Sequence, residues 1–153
     1  MSTDPEYVAA HTGLVIGALI TEAPLDPLLA EARAKTLTEA MGALVVFEGV
    51  VRDHDGGERV RSLDYSAHPT APEIIAQVAA SVSAAHPDTR LWTAHRVGPL
   101  RIGDVAFLAV AASAHRRQAF EACSELADRV KAEVPIWKEQ QLVNGDTQWV
   151  GLE

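Results

Sequence analysis

The chain has 153 residues, 48% hydrophobic and 22% charged, a length and balance that suit one soluble domain able to bury its own core. Its 13 Lys and Arg against 21 Asp and Glu leave a net charge of -8, which excludes broad binding to nucleic acid or to an anionic membrane. The single cysteine, Cys123, excludes an intrachain disulfide or a Cys-x-x-Cys site, and the six histidines include no pair at helical ligand spacing, so neither a metal nor a cofactor is expected.

Residues 1–12 lack the basic and apolar regions of a signal peptide and read as a lead-in to one domain over 13–153, in a cytoplasmic protein. Gly13 to Ile20, GLVIGALI, reads as a buried strand. PLDPLLAEARAK follows as a short helix, with Asp26 as its cap and Pro27 at its first position. Two β-rich runs, Ala43 to Arg52 and Arg59 to Ser66, flank DHDGGE and predict a hairpin. TAPEIIAQVAASVSAAH carries Ile74, Ile75, Val78, Ala79 and Val82 at helical spacing, with Thr70 and Glu73 as a capping box and Pro87 as its stop.

TRLWTAHRVG and DVAFLAVAAS read as two strands joined by GPLRIG. From Ser113 a third helix is predicted, with Ala119, Phe120, Cys123, Leu126, Ala127 and Val130 as its apolar stripe and Pro135 as its end. PIWKEQQLVNGDTQWVGLE closes the chain as two short strands about an Asn-Gly-Asp turn. The order β, α, ββ, α, ββ, α, ββ makes an α+β fold of antiparallel strands, hairpins and three helices.

Only three lysines occur, Lys35, Lys131 and Lys138, and two of them bracket EVPIW. Lys131 suits a helix C-terminus, and Lys138 could snorkel over an aromatic ring. The other reading is a convergent pair: two amines and Arg52 around one pocket would lower a lysine pKa and yield a base or nucleophile near neutrality, which arginine cannot do. His115 and Arg116 open a helix, where a cation costs the helix something and an anion is welcome; a solvated first turn is the other reading. Arg52 by itself reads as a strand-end guard, Cys123 as a core residue, and Asp53, His54 and Asp55 as solvated turn residues. No glycine cluster precedes a Lys-Ser/Thr, so no phosphate loop is present.

The blocks VVFEGVVRDHDGG, LDYSAHPTAPE, HRVGPLRIGD, SAHRRQAFEA and VKAEVPIWKEQ, in that order, resemble the family of molybdopterin synthase large, catalytic subunits from about Gly13 to Val150. The resemblance implies an α/β hammerhead fold and a sulfurtransferase. It implies large subunits that dimerise within a heterotetramer, each receiving the C-terminal Gly-Gly thiocarboxylate of a small ubiquitin-like sulfur carrier. The substrate it implies is cyclic pyranopterin monophosphate, converted to the dithiolene of molybdopterin. Lys131 and Lys138 match the family's catalytic lysines. Arg52, His115 and Arg116 match its phosphate-binding residues, and Val50, Val51, Glu139 and Gln140 lie along its substrate-contacting edge. Val50 stands where the family often has lysine, and Gln140 where glutamate is common. Thr70-Ala71-Pro72 replaces a methionine-containing helix entry, and past Glu153 there is no counterpart of the tail that lends a basic residue to a neighbouring subunit. The alternative is a non-catalytic paralogue that docks the ubiquitin-like partner or a phosphorylated pterin.

Overall fold

The computed structural model describes residue 6 and residues 10–151; most of the lead-in, residues 1–5 and 7–9, lies outside the described residues. In chain order the elements are β1 (Leu14–Thr21), α1 (Asp26–Thr36), β2 (Ala43–Val50), β3 (His54–Asp55), β4 (Glu58–Ala67), α2 (Ala71–Ala85), β5 (Thr89–Arg96), β6 (Gly98–Arg101), β7 (Val105–Ser113), α3 (Arg116–Glu133), β8 (Ile136–Leu142) and β9 (Thr147–Val150).

Two sheets result. The first runs β1-β5-β7-β2, with β1 parallel to β5 and the other pairs antiparallel. Its central strand β7 is buried along its whole length, because both faces are covered. Phe107, Ala109 and Ala111 face α2 and α3, while Leu108 and Val110 face α1. This two-residue alternation divides one apolar run between two cores. Leu126 and Val130 of α3, at 0% and 1% exposure, each contribute about 1.5–3 kcal/mol by burial. The second sheet runs β3-β4-β8-β9, with β6 also on β4, and joins the first through a small core of Val51, Leu63, Leu100 and Ala106.

The α+β class and the three helices over residues 26–133 agree with the sequence reading; several details do not. The hairpin over residues 43–66 extends only two rungs, His54 with Arg59 and Asp55 with Glu58. Beyond them β2 pairs with β7 and β4 with β8, since the apolar β2 has a buried partner available in the first sheet. GPLRIG is not merely a connection: Gly98–Arg101 adds a strand to β4. Leu25 rather than Asp26 occupies the cap position of α1, and Pro27 falls one residue further in. Thr70 makes no capping bond, because its hydroxyl is engaged with His68 Nδ1 at 2.9 Å. Ser113 ends β7, its hydroxyl donating to the Asp88 carbonyl at 3.0 Å, so α3 is capped at His115. Phe120 lies off the α3 stripe at 58% exposure, and Ala122 takes a place in the core instead.

Candidate active site

Lys131 stands in the last turn of α3, and Pro135 then turns the chain into β8. Along β8 side chains alternate between faces. Lys138 and Gln140 face a cavity of about 450 Å³ at the seam of the two sheets, and Glu139 and Gln141 face the opposite side. The end of β2 supplies Val50, Val51 and Arg52 to the same cavity, after a register break between Gly49 and Val50. Tyr65 and Phe107 form part of its wall, Tyr65 directly across the β4–β8 pair from Lys138.

The Lys131 amine lies 5.9 Å from the Tyr65 ring centre. The residue as a whole is exposed, because the cavity opens to solvent, yet its amine is crowded by the cavity wall. Burial of the amine and, after it, the Lys138 charge hold its pKa below the ordinary lysine value. Behind Tyr65 a row of rings continues inward, His95 edge-on at 4.8 Å and then Phe107 stacked on His95 at 5.6 Å. His95 is 1% exposed and its Nδ1–H donates to the Arg96 carbonyl at 2.7 Å, which fixes the tautomer. Burial pushes its pKa down to about 4, with a smaller push from Lys131, so the ring is neutral at pH 7.

Asp55, read from sequence as a solvated turn residue, is instead the anionic partner of two of the cavity's cations, Lys138 and Arg52. Its carboxylate lies 3.2 Å from Lys138 Nζ and 3.6 Å from Arg52 Nη2, and it accepts a 3.1 Å hydrogen bond from Gln140. Partial burial opposes ionisation, but the Lys138 hydrogen bond and charge, with Gln140 and Arg52, outweigh it and hold the carboxyl below its ordinary pKa. Asp53 is exposed as expected, whereas His54, also exposed, stands in β3 and lines the cavity.

Of the residues singled out from sequence, Lys131, Lys138, Arg52, Val50, Val51 and Gln140 share this cavity. Glu139 lies on the other side of β8, beside Ser62, Asp64 and Arg101. His115 and Arg116 line a separate cleft of about 660 Å³ with Arg117 and Phe120. Within one chain they stand at the opposite end of α3 from Lys131, about 22 Å along the helix axis. Cys123 is buried, its thiol donating to the Ala109 carbonyl at 3.4 Å, and burial raises its pKa to about 11. Among the described residues, no cluster of His, Cys, Asp or Glu has the makings of a metal site.

The family described as MoaE protein matches residues 20–133, about three quarters of the chain. This chain belongs to the MoaE family. It is 38% identical over 135 residues to the molybdopterin synthase catalytic subunit of a Nostoc species, covering 87% of this chain and 81% of the relative. Its identity to the protein of the same name from Staphylococcus carnosus is 39% over 117 residues, covering 76% and 77%. The crystal structure of molybdopterin synthase from Staphylococcus aureus superposes with a TM-score of 0.79 at 34% identity, covering 88% of this chain and 96% of that one.

Sequence reasoning about the MoaE chain missed Tyr65 in the cavity wall, Asp55 as the partner of its cations and His95 packed behind Tyr65. For Asp55 one signal was available, its place three residues after Arg52. Tyr65 reaches the cavity, and His95 its place behind Tyr65, only through the pairing of β4 with β8 and the packing of β4 on the first sheet, which no local pattern encodes.

Proposed function

We propose that this chain is the catalytic subunit of a molybdopterin synthase, moving sulfur from the C-terminal thiocarboxylate of a small ubiquitin-like subunit to cyclic pyranopterin monophosphate. The observation that carries the reading is the convergence of the Lys131 and Lys138 amines and Arg52 on one open cavity of about 450 Å³. Such a cavity receives an anionic peptide terminus and a phosphate ester together. The thiocarboxylate sulfur bonds to a carbon of the pterin side chain and displaces an oxygen substituent from it; water then attacks the acyl carbon, the acyl–sulfur bond breaks, and the terminus ends as a carboxylate, one carrier being spent for each sulfur.

Lys131, lowered by burial and by its neighbour, supplies the amine that exchanges protons with the reacting groups or engages the acyl carbon transiently. Lys138 and Arg52 stabilise developing negative charge, with Val50, Val51 and Gln140 shaping the edge. His115 and Arg116 reach a substrate only if a second copy of the chain brings its α3 N-terminus to this cavity, as the homodimer within a heterotetramer permits. No helix among the described residues is long and apolar enough to cross a membrane, and a cytoplasmic location goes with the proposal.

Reconstitution tests it. The purified chain, a thiocarboxylated small subunit and cyclic pyranopterin monophosphate should yield molybdopterin, detected as its oxidised fluorescent derivative. No product, with the small subunit demonstrably bound and a control synthase active, would overturn catalysis and leave a docking role.

A further inference from the structure

Asp55 is remote in sequence from the lysine pair, yet its carboxylate touches Lys138, Arg52 and Gln140 at once. Gln140 is 1% exposed and uses its amide nitrogen twice, donating to Asp55 Oδ2 at 3.1 Å and to Gln148 Oε1 at 3.0 Å. Both amide hydrogens are therefore committed, and the side chain is oriented with nitrogen toward Asp55. A carboxylate at position 140 would face Asp55 across the same short gap, and one of the two would have to bind a proton. The short gap at position 140 thus suits an amide donor to an ionised Asp55, which stands behind Lys138, Arg52 and Gln140, while Glu48 is the carboxylate that lines the cavity itself. The position of Asp55 is set by a tight reversal in which Gly56 and Gly57 take φ of 57° and 83°, backbone that side-chain-bearing residues rarely adopt.

We propose that Asp55 is the positioning residue of this cavity: clamped by Gln140, its carboxylate fixes the Lys138 ammonium, and Arg52 beside it, before substrate arrives. Lysine is a point charge on a flexible four-carbon stem, and only a second contact makes its location definite. Asp55 supplies that contact, while the ring of Tyr65 lies across the strand pair from the same lysine. Positioning of this kind acts on turnover more than on binding, because a charge displaced by about an ångström forfeits transition-state stabilisation. The opposite role, an internal anion that blocks the seat needed by the incoming terminus, would carry the opposite sign in the same experiment.

The kinetic part rests on the sulfur-transfer reading; the spectroscopic part does not. With only Lys35, Lys131 and Lys138 in the chain, ¹³C-labelled lysine gives three side-chain ε-methylene sites, and loss of a signal in Lys138→Arg assigns that residue. Side-chain relaxation is then compared between the parent and the isosteric Asp55→Asn. The Lys138 ε-methylene should be ordered in the parent and mobile in Asp55→Asn, with the same thermal midpoint of unfolding in both. In the reconstituted reaction kcat should fall about tenfold while KM changes little. Unchanged Lys138 mobility in Asp55→Asn overturns the proposal, as does turnover equal to or above the parent's. If the parent itself shows no turnover, the sulfur-transfer reading fails and the mobility comparison still decides the role of Asp55.

Discussion

The Lys131 amine stands 5.9 Å from the centre of the Tyr65 ring, and Tyr65 sits opposite Lys138 in the β4–β8 pair, so one tyrosine neighbours both lysines. The ring face favours a cation, whereas burial and the Lys138 charge oppose it, and the balance lowers the Lys131 pKa. Removing a positive neighbour favours the charged form. Lys138→Met should therefore raise the pH at which the Lys131 ε-methylene titrates by NMR, and an unchanged or lower midpoint would contradict the coupling.

His95 should make the protein sensitive to mild acid. Its ordinary value is 6.5 and its folded value about 4, a depressed base. Above pH 6.5 it is neutral in both states and adds no pH dependence. Between about 6.5 and 4 the unfolded chain binds a proton that the folded one refuses, so stability falls with pH by an amount on the order of 3 kcal/mol. Urea unfolding at pH 7 and pH 4.5 should show a smaller loss in His95→Gln than in the parent. Equal losses would assign the acid sensitivity elsewhere.

Cys123 should be chemically silent. Its thiol is 3% exposed and pushed up to about 11, leaving little thiolate at neutral pH. Iodoacetamide should label it slowly in the native protein and rapidly in urea, and Cys123→Ala should keep its sulfur-transfer activity. Loss of that activity in a folded Cys123→Ala protein would mean that the chain's own sulfur takes part.

The separation of His115 and Arg116 from Lys131 along α3 predicts complementation between chains. Lys131→Ala and the double variant His115→Ala/Arg116→Ala should each be inactive. Mixed after dissociation and reassembly, they should recover about a quarter of parental activity, since half of the dimers then carry one intact composite site. No recovery, with mixed dimers present, would place the whole site within a single chain.

Much of the fold was legible because its helices and closing hairpin are local. Ile75, Val78, Ala79 and Val82 repeat at helical spacing and form one buried face, and β8 and β9 close around Asn144 and Gly145. The partners of β2 and β4 were not legible. The glycine turn between them favours a hairpin, but pairing of β2 with β7 buries its apolar residues in a distant sheet and overrides the local signal. Phe120 shows the same limit: a helical stripe tells which residues share a side, and the alanine-lined surface that α3 meets decides how wide that side is. The lysine pair was visible as an oddity of composition. Its anion was not, because the Asp55–Lys138 contact depends on the β4–β8 register.

As proposed, the Lys131 amine performs chemistry and does not merely hold the partner. The most direct measurement is single-turnover sulfur transfer by Lys131→Ala in the reconstituted synthase, with small-subunit affinity measured by calorimetry on the same preparation. The rate should drop by about a thousandfold while affinity changes by less than about threefold. A parental rate, or a loss of rate matched by an equal loss of partner affinity, would contradict it.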